Sequence, residues 1–272
     1  MIALIHNNNE QRNTYLKPKL TELSEGLSEY FDVTQVEISY QSQLIPHGAI
    51  VSLYREFNYH QLMNDFYKFH SIEGRNKFKA AIGFLRHTIK RYFLGRGNDL
   101  VMWQRKSAIE TLLTEKHIAA WRRFLDSECN VLLCFEDDVM IGDGGIVDVV
   151  KLLLDRSLVI EPKAEFIDLA GGCNIDKLGI NPTQNIPNLK LSLYTPGLSN
   201  TACSYLMTRN MARLFYAELE KNIMLRLIGA DWLINKLFMR LSSANINYYC
   251  FHSKPTYFLH GTVNGTYPTS II

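Results

Sequence analysis

The sequence predicts an α/β protein: an open, mostly parallel sheet with helices on both faces and a helical insertion. Three observations predict it. Strand-like and helix-like segments alternate along most of the chain. The opening reads β-α-β. Near the middle, "NVLLCF" is a short apolar run bounded by polar residues, the pattern of a central parallel strand buried on both faces. With 272 residues the chain is long enough for one large α/β domain or two small ones, and 1–272 is read as a single domain with a basic helical insertion at 50–100.

Each element has its own signal. "IALIH" is a short buried strand and "NNNEQRN" a polar loop. After Pro18, residues Leu20, Leu23, Leu27, Tyr30 and Phe31 recur at helical spacing and predict an amphipathic helix. "DVTQVEISY" alternates as a strand does. Residues 50–100 are aromatic and basic, punctuated by Gly74, Gly83, Gly95 and Gly97, and read as a helical insertion. "SAIETLLTEKHIAAWRRFLDSE" is a long helix that leads into "NVLLCF". "GGIVDVVKLLLDRS" is a helix with Ile146, Val149, Val150, Leu153 and Leu154 on one face. "AEFIDLAGG" is a strand and turn, and the Asn- and Pro-rich "NIDKLGINPTQNIPN" a loop. "LKLSLYTP" and "TACSYLMT" are strands, and Thr208 is placed to cap a helix through "RNMARLFYAELEKN". "GADWLINKLFMRLSSAN" is a helix entered at Asp231, and "INYYCFHSKPTYFLHGTVNG" a strand followed by loop.

Composition narrows the function. A net charge of +2 does not indicate a nucleic-acid partner. The five cysteines, Cys129, Cys134, Cys173, Cys203 and Cys250, are odd in number and scattered. They read as buried reduced thiols of a cytoplasmic protein, with no disulfide framework and no zinc-finger spacing. "MIALIHNNNEQR" lacks the basic start and long apolar core of a signal peptide. No stretch approaches the roughly 20 apolar residues of a spanning helix.

The chemistry concentrates in "NVLLCFEDDVMIGDGG". An apolar strand runs into Glu136, Asp137 and Asp138, with Asp143 in the Gly-rich turn beyond. In open α/β sheets, ligands bind outside the carboxyl ends of the strands. Adjacent carboxylates repel unless a cation joins them. A hard divalent ion such as Mg²⁺ or Mn²⁺ takes one or two carboxylates plus substrate phosphates. The triplet therefore reads as a strand-end metal site facing a phosphorylated substrate. The plainer reading is a solvated acidic turn at the start of the next helix.

"LLCFEDDVMI" resembles the strand and acidic motif of glycosyltransferase family 25, which includes bacterial lipooligosaccharide glycosyltransferases and collagen galactosyltransferases. "TLLTEKHIAAWRRFL" is similar to that family's preceding helix, with Lys116 in place of its Ser and with His117 and Trp121 retained. "AEFIDLAGG", "NTACSYLMTRNMARLF" and "GADWLINKLF" resemble its later strand, strand-helix and Asp-Trp segments. "IALIHNNNEQR" resembles its opening, with Asn7, Asn8 and Asn9 where Asn-Leu-Asp is usual. The resemblance covers roughly residues 105–260, with five short motifs in the family's order.

The resemblance implies a GT-A-like fold, a UDP-sugar donor, a saccharide or lipid-linked glycan acceptor, inversion at the anomeric carbon and a Mn²⁺ or Mg²⁺ cofactor. Carried onto this sequence, Asp138 is the main metal ligand. Glu136 binds the ribose or a water of the metal shell, and Asp137 holds the turn or the sugar. Asp231 is the candidate base, beside Trp232 as a platform for a sugar face. Asp231 also reads as a helix N-cap, and a helix N-terminus weakens a carboxylate as a base. His260 in "FLHGT" is the first choice for a C-terminal metal ligand and His252 the second. Arg12 is a candidate for the uracil or diphosphate. His117 and Trp121, four apart, share a helical face behind the donor site or in the core. Arg105 and Lys106 are candidates for phosphate or a solvated basic pair.

"RNKFKAAIGFLRHTIKRYFLGRGN" carries seven Lys or Arg and no acid, with Phe78, Ala81, Ile82, Leu85, Ile89, Tyr92 and Phe93 on one helical face. Residues 75–96 therefore read as a basic amphipathic helix, lying on an anionic membrane or packed on its own domain. The first reading places a cytoplasmic enzyme peripherally on the inner face of the membrane. Clustered acids at strand ends also suit a metal-dependent phosphohydrolase, for which Asp168 is a partial candidate. A non-catalytic glycan or membrane adaptor could keep the same fold.

Overall fold

The computed structural model describes residues 1–39, 48–72, 82, 85, 86, 89, 97–142, 146–159, 163–172 and 175–267. Three of the predicted apolar runs form the centre of the sheet: β1 (Ile2–His6), β3 (Val131–Glu136) and β5 (Glu165–Asp168). Successive residues of a strand face opposite sides, and here both sides are dry. Ala3, Ile5, Leu132, Cys134 and Phe166 enter one core, while Ile2, Leu4, Val131, Leu133, Phe135 and Ile167 enter the other.

The remaining strands complete one eight-stranded sheet. They are β2 (Gln35–Ser39), β6 (Gln184–Ile186), β7 (Leu191–Leu193), β8 (Ser204–Thr208) and β9 (Tyr249–Ser253). The order is β2-β1-β3-β8-β5-β9-β7-β6. β1 pairs in parallel with β2 and β3, and β5 with β9. β8 is antiparallel to β3 and β5, and β7 to β9 and β6. The sheet is therefore mixed: β7 and β8 run against the other strands, which share one direction.

Helices cover both faces. α1 (Glu10–Ser28) and the helix after the acidic triplet, Ile146–Val159, pack Leu16, Leu20, Leu23, Val150 and Leu153 on one face. On the other lie Gly97–Leu125, Arg209–Lys221 and Ala230–Ser243, contributing Trp121, Phe124, Phe215, Leu233 and Leu237. With α2 (Ala49–Phe69) following α1, these helices are α3 (Gly97–Leu125), α4 (Ile146–Val159), α5 (Arg209–Lys221) and α6 (Ala230–Ser243). α2 is the described start of the predicted 50–100 insertion. Its Leu62 and Phe66 pack with Tyr194, Leu198 and Met239 in a third apolar cluster.

Several elements differ from the sequence expectation. α1 begins at Glu10 rather than after Pro18, because the Asn9 side chain accepts the Arg12 backbone N–H and caps the helix. Pro18 sits inside α1 on the exposed side, where water can satisfy the carbonyl that loses its partner. The Asn- and Pro-rich loop contains the short strand β6. Thr208 stands at the start of α5 without capping it. Its hydroxyl donates to the Lys163 carbonyl at 2.7 Å and accepts the Glu165 N–H at 2.9 Å, tying β8 to β5 instead. The chain end forms a second, two-stranded sheet in which β10 (Leu259–His260) pairs antiparallel with β4 (Val139–Met140).

Of the basic stretch 75–96, Ile82, Leu85, Arg86 and Ile89 are described. They are helical and exposed. The rest of that stretch, and Asp143, lie outside the described residues. Among the described residues no helix is long and apolar enough to cross a membrane.

Candidate functional site

The parallel strands β1, β3, β5 and β9 end at one edge of the sheet, at His6, Glu136, Asp168 and Ser253. β8 runs the other way, so its beginning lies at this edge. The Cys203 carbonyl there accepts the Glu136 N–H at 2.8 Å. The β10–β4 pairing carries the chain end over the same place, with His260 opposite Val139. Residues far apart in sequence thus surround the acidic triplet, and each acid has a different set of partners.

Asp137 is a structural acid. Its carboxylate accepts the Asn7 N–H at 3.0 Å and pairs with Arg12 at 2.9 Å, joining the end of β3 to the start of α1. Both side chains are buried. The Arg12 guanidinium also lies 5.2 Å from the Tyr267 ring centre, so this arginine belongs to the wall of the site. Burial raises the Asp137 pKa despite the opposing pull of Asn7 and Arg12.

Glu136 faces the wholly buried His117, whose Nε2 lies 3.0 Å from Oε1. Nδ1 of His117 is 3.0 Å from the Tyr205 hydroxyl, which accepts the Trp121 indole N–H at 2.8 Å. Burial lowers the His117 pKa to about 4, against a smaller opposing pull from Asp231. The ring is therefore neutral near pH 7. When Glu136 is ionised, the single ring proton must sit on Nε2 to donate to it. Nδ1 then accepts from Tyr205. A directed chain of donors thus runs from Trp121 through Tyr205 and His117 to the triplet. Burial, then the charges of Asp138 and Asp231, hold the Glu136 pKa well above the carboxylate range. A bound cation would relieve that strain.

Asp138 faces the chain end. Oδ2 accepts the Thr262 hydroxyl at 2.6 Å and lies 3.4 Å from His260 Nδ1; Oδ1 lies 3.4 Å from Cys203 Sγ. The Asp138 carbonyl accepts the Gly261 N–H at 2.8 Å. A Cβ at Gly261 would come within 2.7 Å of that carbonyl oxygen and 2.5 Å of the Tyr267 ring, so this close approach requires glycine. Asp138, Cys203 and His260 form a group whose ligand atoms lie within 4.8 Å of one another and which can hold a metal ion. Carboxylate, thiolate and imidazole are all established ligand types for divalent metals.

Asp231 lies in the first turn of α6, whose N-cap is Gly229. Its Oδ1 accepts the Ala202 N–H at 2.5 Å, so the carboxylate reaches across to the edge of β8 instead of capping its own helix. The residue is open to solvent, yet the surrounding protein crowds it enough that desolvation is the leading influence. Its pKa is raised, with Ala202 and His117 pulling the other way. The lowering expected from the helix N-terminus is outweighed. Asp168, at the end of β5, accepts N–H groups of Gly171, Asn200 and Thr201 and shapes the loop before β8.

The other sequence candidates are placed as follows. Trp232 packs edge-on against Tyr59 and Phe66 of α2, at 5.5 and 5.6 Å between ring centres. His252 donates from Nε2 to the Leu198 carbonyl at 2.8 Å, outside the ligand group. Arg105 and Lys106 are exposed on α3. The sequence reading missed Cys203, Tyr205 and Thr262. The run "TACSYLMT" reads as a strand but does not name its neighbour, and only the antiparallel β3–β8 pairing brings Cys203 and Tyr205 to the triplet.

No protein-family model matches the chain, and the comparison with curated proteins finds no match.

Arg12→Ala leaves the buried Asp137 carboxylate without its cation, and urea unfolding near pH 7 is expected to show a loss of about 3–5 kcal/mol. The raised folded-state pKa of Asp137 sets the pH dependence. An acid whose pKa is raised on folding destabilises the fold when ionised, above that pKa, and stops doing so once protonated. The Arg12→Ala defect should therefore shrink as pH falls through the Asp137 pKa. An Arg12→Met/Asp137→Leu double variant should recover most of the loss.

Proposed function

We propose that the protein is a metal-dependent, inverting glycosyltransferase that moves a hexose from a UDP-sugar to a glycan acceptor. The fold would be GT-A-like, and the setting the synthesis of lipopolysaccharide or another cell-surface polysaccharide. One observation carries the reading. A ligand group of Asp138, Cys203 and His260 stands at the carboxyl edge of the sheet, in the electrostatic surroundings of the Asp231 carboxylate, which accepts the Ala202 N–H and whose pKa desolvation raises. The five motifs in the order of glycosyltransferase family 25 support the same conclusion.

A divalent ion, Mn²⁺ or Mg²⁺ as in the family the chain resembles, would supply Lewis-acid stabilisation of the departing diphosphate. The chain's own residues do the rest. Asp138 and His260 would hold the ion, with Thr262 orienting the Asp138 carboxylate. His117 fixes Glu136 as an acceptor for donor hydroxyls or a water. Asp231 takes the proton of the acceptor hydroxyl as that oxygen bonds to the anomeric carbon. The bond from that carbon to the diphosphate breaks on the opposite face, which inverts the configuration. A raised pKa improves Asp231 as a proton acceptor. Asp137 and Arg12 keep the turn in place rather than reacting.

The phosphohydrolase alternative needs a second ligand set for two-metal displacement. Among the described residues one metal-ligand group is found. A non-catalytic adaptor has no need of a preformed carboxylate–thiolate–imidazole ligand group at the strand end.

A lipid-linked acceptor accords with peripheral membrane contact. Ile82, Leu85 and Ile89 are exposed and spaced along one helical face within the basic stretch. Co-sedimentation with anionic vesicles at physiological salt is expected. Failure to pellet with them sinks the membrane contact and leaves the enzymatic reading intact.

The function is tested by incubating the purified protein with UDP-galactose, UDP-glucose and UDP-N-acetylglucosamine, with Mn²⁺ or EDTA. UDP is expected to be released from one donor, and to be lost with EDTA and in Asp138→Ala. Asp231→Asn is expected to lower kcat about 10²–10⁴-fold while leaving UDP binding in place, as removal of a general base does. No release from any donor, with no metal-dependent binding of UDP, overturns the proposal.

A further inference from the structure

The cysteine in the ligand group changes which ions it prefers. Cys203 is wholly buried, one residue before β8. Its backbone is fixed on both sides: the carbonyl accepts the Glu136 N–H at 2.8 Å and the N–H donates to the Thr201 hydroxyl at 3.2 Å. The sulfur lies 3.4 Å from Asp138 Oδ1, as close to that carboxylate as His260 Nδ1 is to Oδ2. His260 Nδ1 is buried and makes no hydrogen bond, so one nitrogen of the imidazole is free for a ligand. Atoms that share one ion at bonds of about 2.0–2.3 Å sit roughly 3–4.5 Å apart. The two separations from Asp138, 3.4 Å each, meet that condition, and all three ligand atoms lie within 4.8 Å of one another.

We propose that Cys203 is a direct metal ligand, giving a carboxylate–thiolate–imidazole site selective for a sulfur-binding transition ion of the Zn²⁺ or Co²⁺ kind over Mg²⁺. Thiolate and imidazole are the ligand types that such ions take, whereas Mg²⁺ prefers an all-oxygen shell and sheds its waters reluctantly. When the metal–sulfur bond forms, the thiol proton passes to solvent and the carboxylate of Asp138 gains the cation it faces. The inference concerns the same site as the function proposed above and rests on its being a metal site. It does not depend on which reaction the protein catalyses.

Co²⁺ titration of the purified chain at neutral pH, followed optically, tests it. The expected result is a saturable near-ultraviolet sulfur-to-cobalt charge-transfer band at one ion per chain. Zn²⁺ should abolish it, and excess Mg²⁺ should leave it unchanged. Cys203→Ser should bind Co²⁺ without that band and at least about tenfold more weakly, the loss that follows even when a supporting partner of a metal ligand is removed. His260→Ala should keep the band at reduced affinity, and Cys129→Ser, far from the site, should behave as wild type. Circular dichroism of Cys203→Ser and of a second variant, Cys203→Ala, excludes loss of fold as the cause. Co²⁺ binding that needs Asp138 but shows no charge-transfer band, with affinity unchanged in Cys203→Ser, overturns the proposal and leaves the metal site standing. Absence of Co²⁺ binding overturns both. Normal Co²⁺ spectra in a protein that releases no UDP count against the transferase reading alone.

Discussion

Three consecutive carboxylates at the end of a buried strand are the constraint around which the rest of the structure is arranged. Placed side by side, they repel one another and resist burial. The fold separates their fates. Asp137 is neutralised by Arg12 and tied to Asn7, so it fastens the turn to the start of α1. Glu136 is turned toward His117, behind which Tyr205 and Trp121 form a buried polar chain. Asp138 is left facing Cys203 and His260, the place where charge remains to be balanced from outside. One acid thus serves the fold, one is oriented by it, and one is available to a ligand.

This division depends on the two features that break the parallel pattern. Were β8 parallel to its neighbours, its end rather than its beginning would reach the site edge, and Cys203 would lie at the far side of the sheet. The small β4–β10 sheet performs the same service for the chain end. It needs Gly261, whose lack of a side chain lets the backbone approach Asp138. Asp168, by gathering the N–H groups of Asn200 and Thr201, shapes the loop from which β8 starts. These contacts give the site a rigid frame in which the ligand atoms already converge.

What could be read in the sequence was whatever local periodicity encodes. The runs "IALIH" and "VLLCF" announce strands because their apolar residues are continuous, and the helical spacing of apolar residues in α1 and α4 announces helices. The placing of the acids at a strand end followed directly. Pairing partners are not local, so the reversal of β8 and the β4–β10 pairing could not be seen, and Cys203 read as an ordinary buried thiol. Thr208 looked like a helix cap because it stands where caps stand, but its hydroxyl is engaged by β5. Arg12 read as a candidate for the uracil or diphosphate, and nothing local in the sequence marked the buried Asp137 carboxylate it balances.

The central claim is that the end of β3 receives a divalent ion and a nucleoside diphosphate together. Calorimetric titration of UDP into the protein, with and without a saturating divalent ion and in Asp138→Asn, tests it most directly. The account predicts that UDP binds tightly only in the presence of the ion, that the ion binds more tightly by the same factor when UDP is present, and that Asp138→Asn removes the coupling. UDP binding that is indifferent to the ion, or the absence of binding by either, would contradict it.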